Sequence, residues 1–225
     1  AQVGGNAQIG AQVEDTFHAT YRAFAAGAGE VLQSSPMVRV LRYHTYHQRF
    51  SGTGIDITGS SNHTIQGNWI GLNSTGTAAA ANGGKGLYAI NSSGLLIGGT
   101  SAAERNVISG NAEQGIGFDN VDNSTISGNY VGTTAAGNVA LGNQSEGIEL
   151  NGASGTTIGG TAPGAGNVIG ASYWEGIWIL NGASGSVIQG NYIGTDVTGT
   201  VNLGNASAGI SIGNTGAASS NNLVG

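Results

Sequence analysis

The chain has 225 residues, of which 43 are glycine, 2 are proline and none is cysteine; 8% are charged and 39% apolar. Glycine stands at nearly three times its usual share and charge at about a third. This excludes collagen, the charged composition of disordered chains, a disulfide scaffold, a zinc–thiolate site and a thiol nucleophile. Six Lys and Arg against twelve Asp and Glu leave a net charge of −6, and only Lys85 and Arg105 are basic after residue 50. A nucleic acid or an anionic membrane surface is therefore not an expected partner. No apolar run is long enough for membrane insertion as a helix. Ala1–Gly5 lacks the basic and apolar parts of a signal peptide, so one is expected to be absent or already removed.

Residues 1–49 read as a cap segment. Phe17, Tyr21, Phe24, Ala28 and Val31 recur at helical spacing behind Glu14 and Asp15. With Gly27 as its stop, the spacing predicts a helix over about 15–27. Beyond Pro36, an apolar and aromatic run predicts a strand over about 37–46. His44 and His47, three apart on that strand, point to opposite faces and do not share a metal. An amphipathic helix over the open end of a solenoid would protect its edge. The sharp change of composition near residue 50 also fits a segment foreign to the rest of the chain.

From residue 50 the chain repeats. A glycine followed by an aliphatic residue recurs at Gly54-Ile55, Gly86-Leu87, Gly115-Ile116, Gly147-Ile148, Gly176-Ile177 and Gly209-Ile210, with two alternating kinds of unit between. One kind reads Thr64-Ile-Gln-Gly-Asn68-Trp-Ile-Gly71, and recurs from Thr125 and from Val187. The other reads Leu96-Ile-Gly-Gly-Thr100 followed by Asn106-Val-Ile108, and recurs from Thr157. Each unit holds three short β-like runs parted by Gly, Asn, Ser and Thr, which are turn chemistry. Similar runs lie one unit apart, so like stacks on like. The expectation is all-β: a parallel β-helix over 50–225, about six coils with three strands each. A β-propeller needs about four strands in ~40–45 residues per blade and does not fit. The inward columns are Ile55, Leu87, Ile116, Ile148, Ile177 and Ile210, then Ile57, Ala89, Phe118, Leu150, Ile179 and Ile212. Asn68, Asn129 and Asn191 recur at one turn, where their amides can satisfy backbone groups. Asn222–Gly225 aligns with the second run of a unit and the third is missing. The repeat domain is thus expected to be cut short at its C-terminus, or to associate end to end through the open coil.

The Gly-Asn-x-Ile-Gly and Thr-Ile-Gly-Gly…Asn-Val-Ile units, one of them completed by Ile108-Ser-Gly-Asn111, resemble those of bacterial right-handed parallel β-helix repeat proteins of the pectate-lyase-like superfamily. The resemblance covers roughly residues 50–225. It implies the fold, an extracellular or cell-surface setting and a polysaccharide partner. If the protein is an enzyme, it implies a polysaccharide lyase or glycoside hydrolase, with Ca²⁺ as the one cofactor to consider. The enzymes of that group combine acidic Ca²⁺ ligands with a basic residue on the coil face. Here Arg105, the only arginine within the repeats, falls in a turn, and dense Asp clusters are missing. The motifs specify coils rather than chemistry.

Aligned on the Gly-Ile step, Asp56, Tyr88, Gly117, Glu149, Trp178 and Ser211 form an outward column of the first sheet. Thr53, Lys85, Gln114, Glu146, Glu175 and Ala208 precede the glycines. Glu146 and Glu175 are then neighbours on successive coils, with Cα atoms ~4.8 Å apart. Glu149 adjoins Trp178, and Tyr173 and Trp174 lie just upstream. Aromatic rings that stack on sugar faces beside carboxylates that accept hydroxyl hydrogen bonds suit a polysaccharide surface. The candidate catalytic residues are Glu146, Glu175 and Glu149, since two carboxyls ~5–5.5 Å apart suit a retaining glycosidase. Trp178, Trp174, Tyr173 and Tyr88 are the candidate substrate-binding residues. No Gly-x-Ser-x-Gly elbow appears, and Gly83-Gly84-Lys85-Gly86 lacks the ending of a phosphate loop. The expected function is to bind a polysaccharide on this face, with processing at these carboxylates if the protein is an enzyme. The alternative is a non-catalytic structural or adhesin solenoid segment of a larger surface protein.

Overall fold

Each sequence unit becomes one coil. The computed structural model describes residues 52–213 and 216–225; the helix and strand expected within residues 1–49 lie outside the described residues. The first coil is Ile55–Thr58 (β1), Thr64–Ile65 (β2) and Trp69–Ile70 (β3). The second is Leu87–Ser93 (β4), Leu96–Gly98 (β5) and Val107–Ile108 (β6). The third is Ile116–Asp122 (β7), Thr125–Ser127 (β8) and Tyr130–Val131 (β9). The fourth is Ile148–Asn151 (β10), Thr157–Gly159 (β11) and Val168–Ile169 (β12). The fifth is Ile177–Leu180 (β13), Val187–Gln189 (β14) and Tyr192–Ile193 (β15). A sixth coil supplies only Ile210–Ile212 (β16) and Leu223–Val224 (β17). Every strand pairs in parallel with its counterpart one coil on. Sheet A runs β1-β4-β7-β10-β13-β16, sheet B β2-β5-β8-β11-β14-β17 and sheet C β3-β6-β9-β12-β15. The expected parallel β-helix is what forms, with five complete coils and no helix among the described residues.

The register is the one the glycine–aliphatic step specifies: Ile55 pairs with Leu87, Leu87 with Ile116, Ile116 with Ile148, Ile148 with Ile177, and Ile177 with Ile210. Because strand side chains alternate, one set from each sheet points inward. Ile97, Ile126 and Ile158 of sheet B and Ile108, Val131 and Ile169 of sheet C meet the two sheet A columns in one continuous core. Phe118 is its bulkiest member and stands beside Ala89, a small neighbour that offsets its volume.

Two asparagine ladders tie the turns. In the first, the backbone N–H and Nδ2 of Asn68 donate to Oδ1 of Asn106, and Asn106 repeats the pattern on Asn129, Asn129 on Asn167 and Asn167 on Asn191, at 2.9–3.1 Å. Each Nδ2 from Asn106 onward also donates to a carbonyl one coil back, as Asn129 does to Ile97 at 2.9 Å. The second ladder joins Asn82, Asn111 and Asn143, and resumes where the Ser172 N–H donates to Asn205 Oδ1. Buried turn backbone is thereby satisfied by side chains that would otherwise need partners themselves. The chain reverses so tightly beside the first ladder that Gly98, at φ +87°, leaves no room for a Cβ against Ser127 O and the Asn129 amide.

The alternation of units has a structural cause. Coils one, three and five each carry a hairpin loop after sheet C, closed by the bridges Leu72–Ala79, Thr133–Ala140 and Thr195–Asn202. The loops stack on one another: Ala135 N–H donates to Gly76 O at 2.9 Å and Val197 N–H to Gly137 O at 3.0 Å. They cover the outer side of sheet C and enclose a second apolar cluster of Leu72, Val107, Tyr130 and Val168. Among the described residues, the outer faces of sheets A and B carry no such cover of stacked hairpins.

Candidate functional site

The outward column expected on sheet A forms as drawn from the repeat. Asp56 pairs with Tyr88, Tyr88 with Gly117, Gly117 with Glu149, Glu149 with Trp178, and Trp178 with Ser211. A second outward column beside it holds Thr58, Ile90, Asp119, Asn151 and Leu180. Since adjacent strands lie ~4.8 Å apart, Tyr88 and Trp178, three coils apart, mark the ends of a strip roughly 14 Å long.

Gly117 governs the middle of this strip. With no side chain of its own, it leaves a notch that the Lys85 stem crosses; a Cβ at Gly117 would meet Lys85 Cε at 2.8 Å. The Lys85 ammonium ends 4.9 Å from the centre of the Tyr88 ring and 3.5 Å from Glu113 Oε2. Tyr88 in turn donates its hydroxyl to Asp119 Oδ2 at 2.5 Å, which fixes the ring diagonally across the strip. Burial and this bond to Asp119, with the charges of Asp119, Asp56 and Glu149, push the phenol well above its usual range.

Glu149 points outward, as expected, yet is only 9% exposed, and Glu146 only 5%. Neighbours from other coils help enclose Glu149: the Gln114 amide donates to its Oε2 at 3.1 Å, and the Lys85 charge lies within reach. Burial raises the Glu149 carboxyl above the ordinary range, and the charges of Glu146 and Asp119 add to this; Lys85 and the Gln114 hydrogen bond oppose it. A carboxyl raised in this way beside a second carboxylate is the pattern of an acid–base pair.

Glu146 and Glu175 do occupy equivalent positions, two residues ahead of the paired Ile148 and Ile177. Their carboxylates are held separately: Glu146 accepts from Ser145 Oγ at 2.6 Å, and Glu175 from Ser207 Oγ at 3.0 Å. Of these two, it is Glu146, the neighbour on the same coil, whose charge acts on Glu149. Trp178 is half-buried, its indole N–H donating to Gly213 O at 3.4 Å, so its ring leans toward the sixth coil. Tyr173 and Trp174 form an edge-to-face pair with centroids 5.2 Å apart. They stand 57% and 51% exposed at the corner leading into β13, where the other coils carry small or polar residues.

Asp119 was missed by the sequence pattern. It lies one column away from the aligned residues and recurs in no other coil; its only sequence signal is an acid in a column otherwise filled by Thr, Ile, Asn and Leu. Among the described residues no group of three or more His, Asp or Glu is placed to hold a metal ion. Arg105 lies away from the strip, stacked 4.1 Å above the Tyr130 ring with its Nε donating to Gly128 O. Compared with protein-family models and with curated proteins, the chain matches none.

Proposed function

We propose that the protein binds a polysaccharide along the outer face of sheet A, in an extracellular or cell-surface setting where such polymers are met. The observation that carries this reading is the strip itself: two aromatic residues, Tyr88 and Trp178, bracket a desolvated carboxyl, Glu149, in one straight column. Rings offer apolar faces to sugar rings, and the carboxylates and Gln114 accept or donate to hydroxyls. The exposed Tyr173–Trp174 pair at the adjacent corner extends the aromatic surface.

The same strip supports a processing step. Glycoside hydrolysis needs a carboxylic acid that keeps its proton and a second carboxylate nearby. Glu149 takes the first role and Glu146 the second, with Glu175 on the next coil. Binding to a panel of polysaccharides with and without Ca²⁺, followed by reducing-sugar and unsaturated-uronate assays, tests both parts. Trp178→Ala is expected to weaken binding with the melting temperature nearly unchanged, and Glu149→Gln to abolish turnover with binding retained. Absence of binding to every polymer would instead leave a structural or adhesin solenoid segment.

A further inference from the structure

The strip carries more negative charge than its own cation balances. Asp119, Glu146 and Glu149 crowd the space between Tyr88 and Trp178, and Asp56 and Glu175 flank it. Lys85 is the one basic side chain there among the described residues, and it is already paired with Glu113. One carboxylate oxygen of the strip is buried without a hydrogen bond among the described residues. It is Asp119 Oδ1, whose companion oxygen Oδ2 accepts from the Tyr88 hydroxyl. The Lys85 ammonium shows what the place accommodates: a cation against the Tyr88 ring with carboxylates on either side.

We propose that the polysaccharide bound here carries protonated amino groups, that is, an amino-sugar polymer. The inference rests on the polysaccharide reading above and names the class of sugar. The ammonium groups donate to Asp119 Oδ1, and the apolar sugar faces lie on Tyr88 and Trp178. An ammonium brings three donors and no acceptor, which matches a buried acceptor oxygen that lacks a donor. A polymer of uronates or sulfated sugars would instead bring like charge against the strip.

Calorimetric titration with glucosamine oligomers, N-acetylglucosamine oligomers of equal length, and polygalacturonate tests this, at a pH where the amines are protonated. The amine form is expected to bind at least about tenfold tighter than the acetylated form, since hydrogen bonds to charged groups are the stronger ones. That advantage should shrink as salt is added. Asp119→Asn should remove most of it, and Lys85→Gln, which removes the resident cation, should enlarge it. Melting temperatures of the variants establish that each is folded. Equal affinity for the two oligomers, both weakened by Trp178→Ala, would overturn the amine assignment and leave polysaccharide binding standing. Tighter binding of polygalacturonate would overturn it too. No binding of any of the three would remove the polysaccharide reading together with it.

Discussion

Sheets A and B are built by the same coils, with the same period and the same inward aliphatics, yet their outer faces differ in kind. The outward column of sheet B reads Thr64, Leu96, Thr125, Thr157, Val187 and Leu223, and holds no charge. The outward column of sheet A reads Asp56, Tyr88, Gly117, Glu149, Trp178 and Ser211, and no two of its residues are alike. Sheet B shows what a solenoid face looks like when only stacking matters: β-branched and aliphatic residues repeated in register. Sheet A departs from that pattern at a cost, because burying the Glu149 carboxyl beside Glu146 and Asp119 opposes folding. Residues that break a local rule within an otherwise self-consistent repeat mark the place where something other than folding is served.

Breaking the part that the two faces share has the largest effect. Ile148 is fully buried in the common core. Ile148→Asp should abolish folding, since an unpaired charge in an apolar column costs more than about 4 kcal/mol; circular dichroism would show it. Asn129→Ala comes next. Asn129 accepts two hydrogen bonds from Asn106 and donates to Asn167 Oδ1 and to two carbonyls. With several buried groups left unpaired at about 1–3 kcal/mol each, a loss of roughly 3 kcal/mol or more is expected in a denaturant titration.

The cost specific to sheet A is sharper still in its pH dependence. Burial holds the Glu149 carboxyl above its usual range, so ionising it disfavours the folded state. Below the ordinary Glu range the carboxyl is protonated in both folded and unfolded chains and the cost vanishes. It grows as pH rises toward the raised value and is complete above it. Glu149→Gln should therefore melt higher than the parent at neutral and alkaline pH, with the difference closing in acid. A constant difference across pH would mean that the effect is one of packing and not of charge.

The smallest effect is expected at a carboxylate of opposite character. Asp196 in the fifth-coil hairpin accepts from the backbone N–H groups of Thr198, Thr200 and Val201 and from the Thr198 hydroxyl. These bonds, the one from Val201 foremost, hold its carboxyl below the ordinary range. Its contribution is thus present above the ordinary Asp range and is lost as pH falls through the lowered value. Asn73 accepts from the N–H groups of Thr77 and Ala78 at the matching place in the first coil. Asp196→Asn should accordingly leave the melting temperature at neutral pH nearly unchanged, and flatten its acid dependence.

The contrast also explains what could be read from the residues. The fold was legible because the Gly54-Ile55 to Gly209-Ile210 steps fix register, and a one-residue slip would turn every aliphatic side chain outward. The column of Tyr88, Glu149 and Trp178 followed from the same register. The ladder was legible only at Asn68, Asn129 and Asn191. Asn106 and Asn167 occupy the same rungs behind longer turns, whose extra residues hide the alignment. The burial of Glu149 was not legible, because it depends on how far the Gln114 and Lys85 side chains reach from coils that are distant in sequence. Asp119 was hidden for a related reason: its partner Tyr88 sits diagonally, one coil back and one column over.

The most direct test of the central claim sets one face against the other with a single ligand. A calorimetric titration of the tightest-binding polymer would be run on the parent, on Trp178→Ala of sheet A and on Val187→Ala of sheet B, all confirmed folded. The account predicts at least about a tenfold loss of affinity for Trp178→Ala, the size expected for an aromatic anchor, and no change for Val187→Ala. Equal losses at both positions, or a loss at Val187 alone, would contradict it.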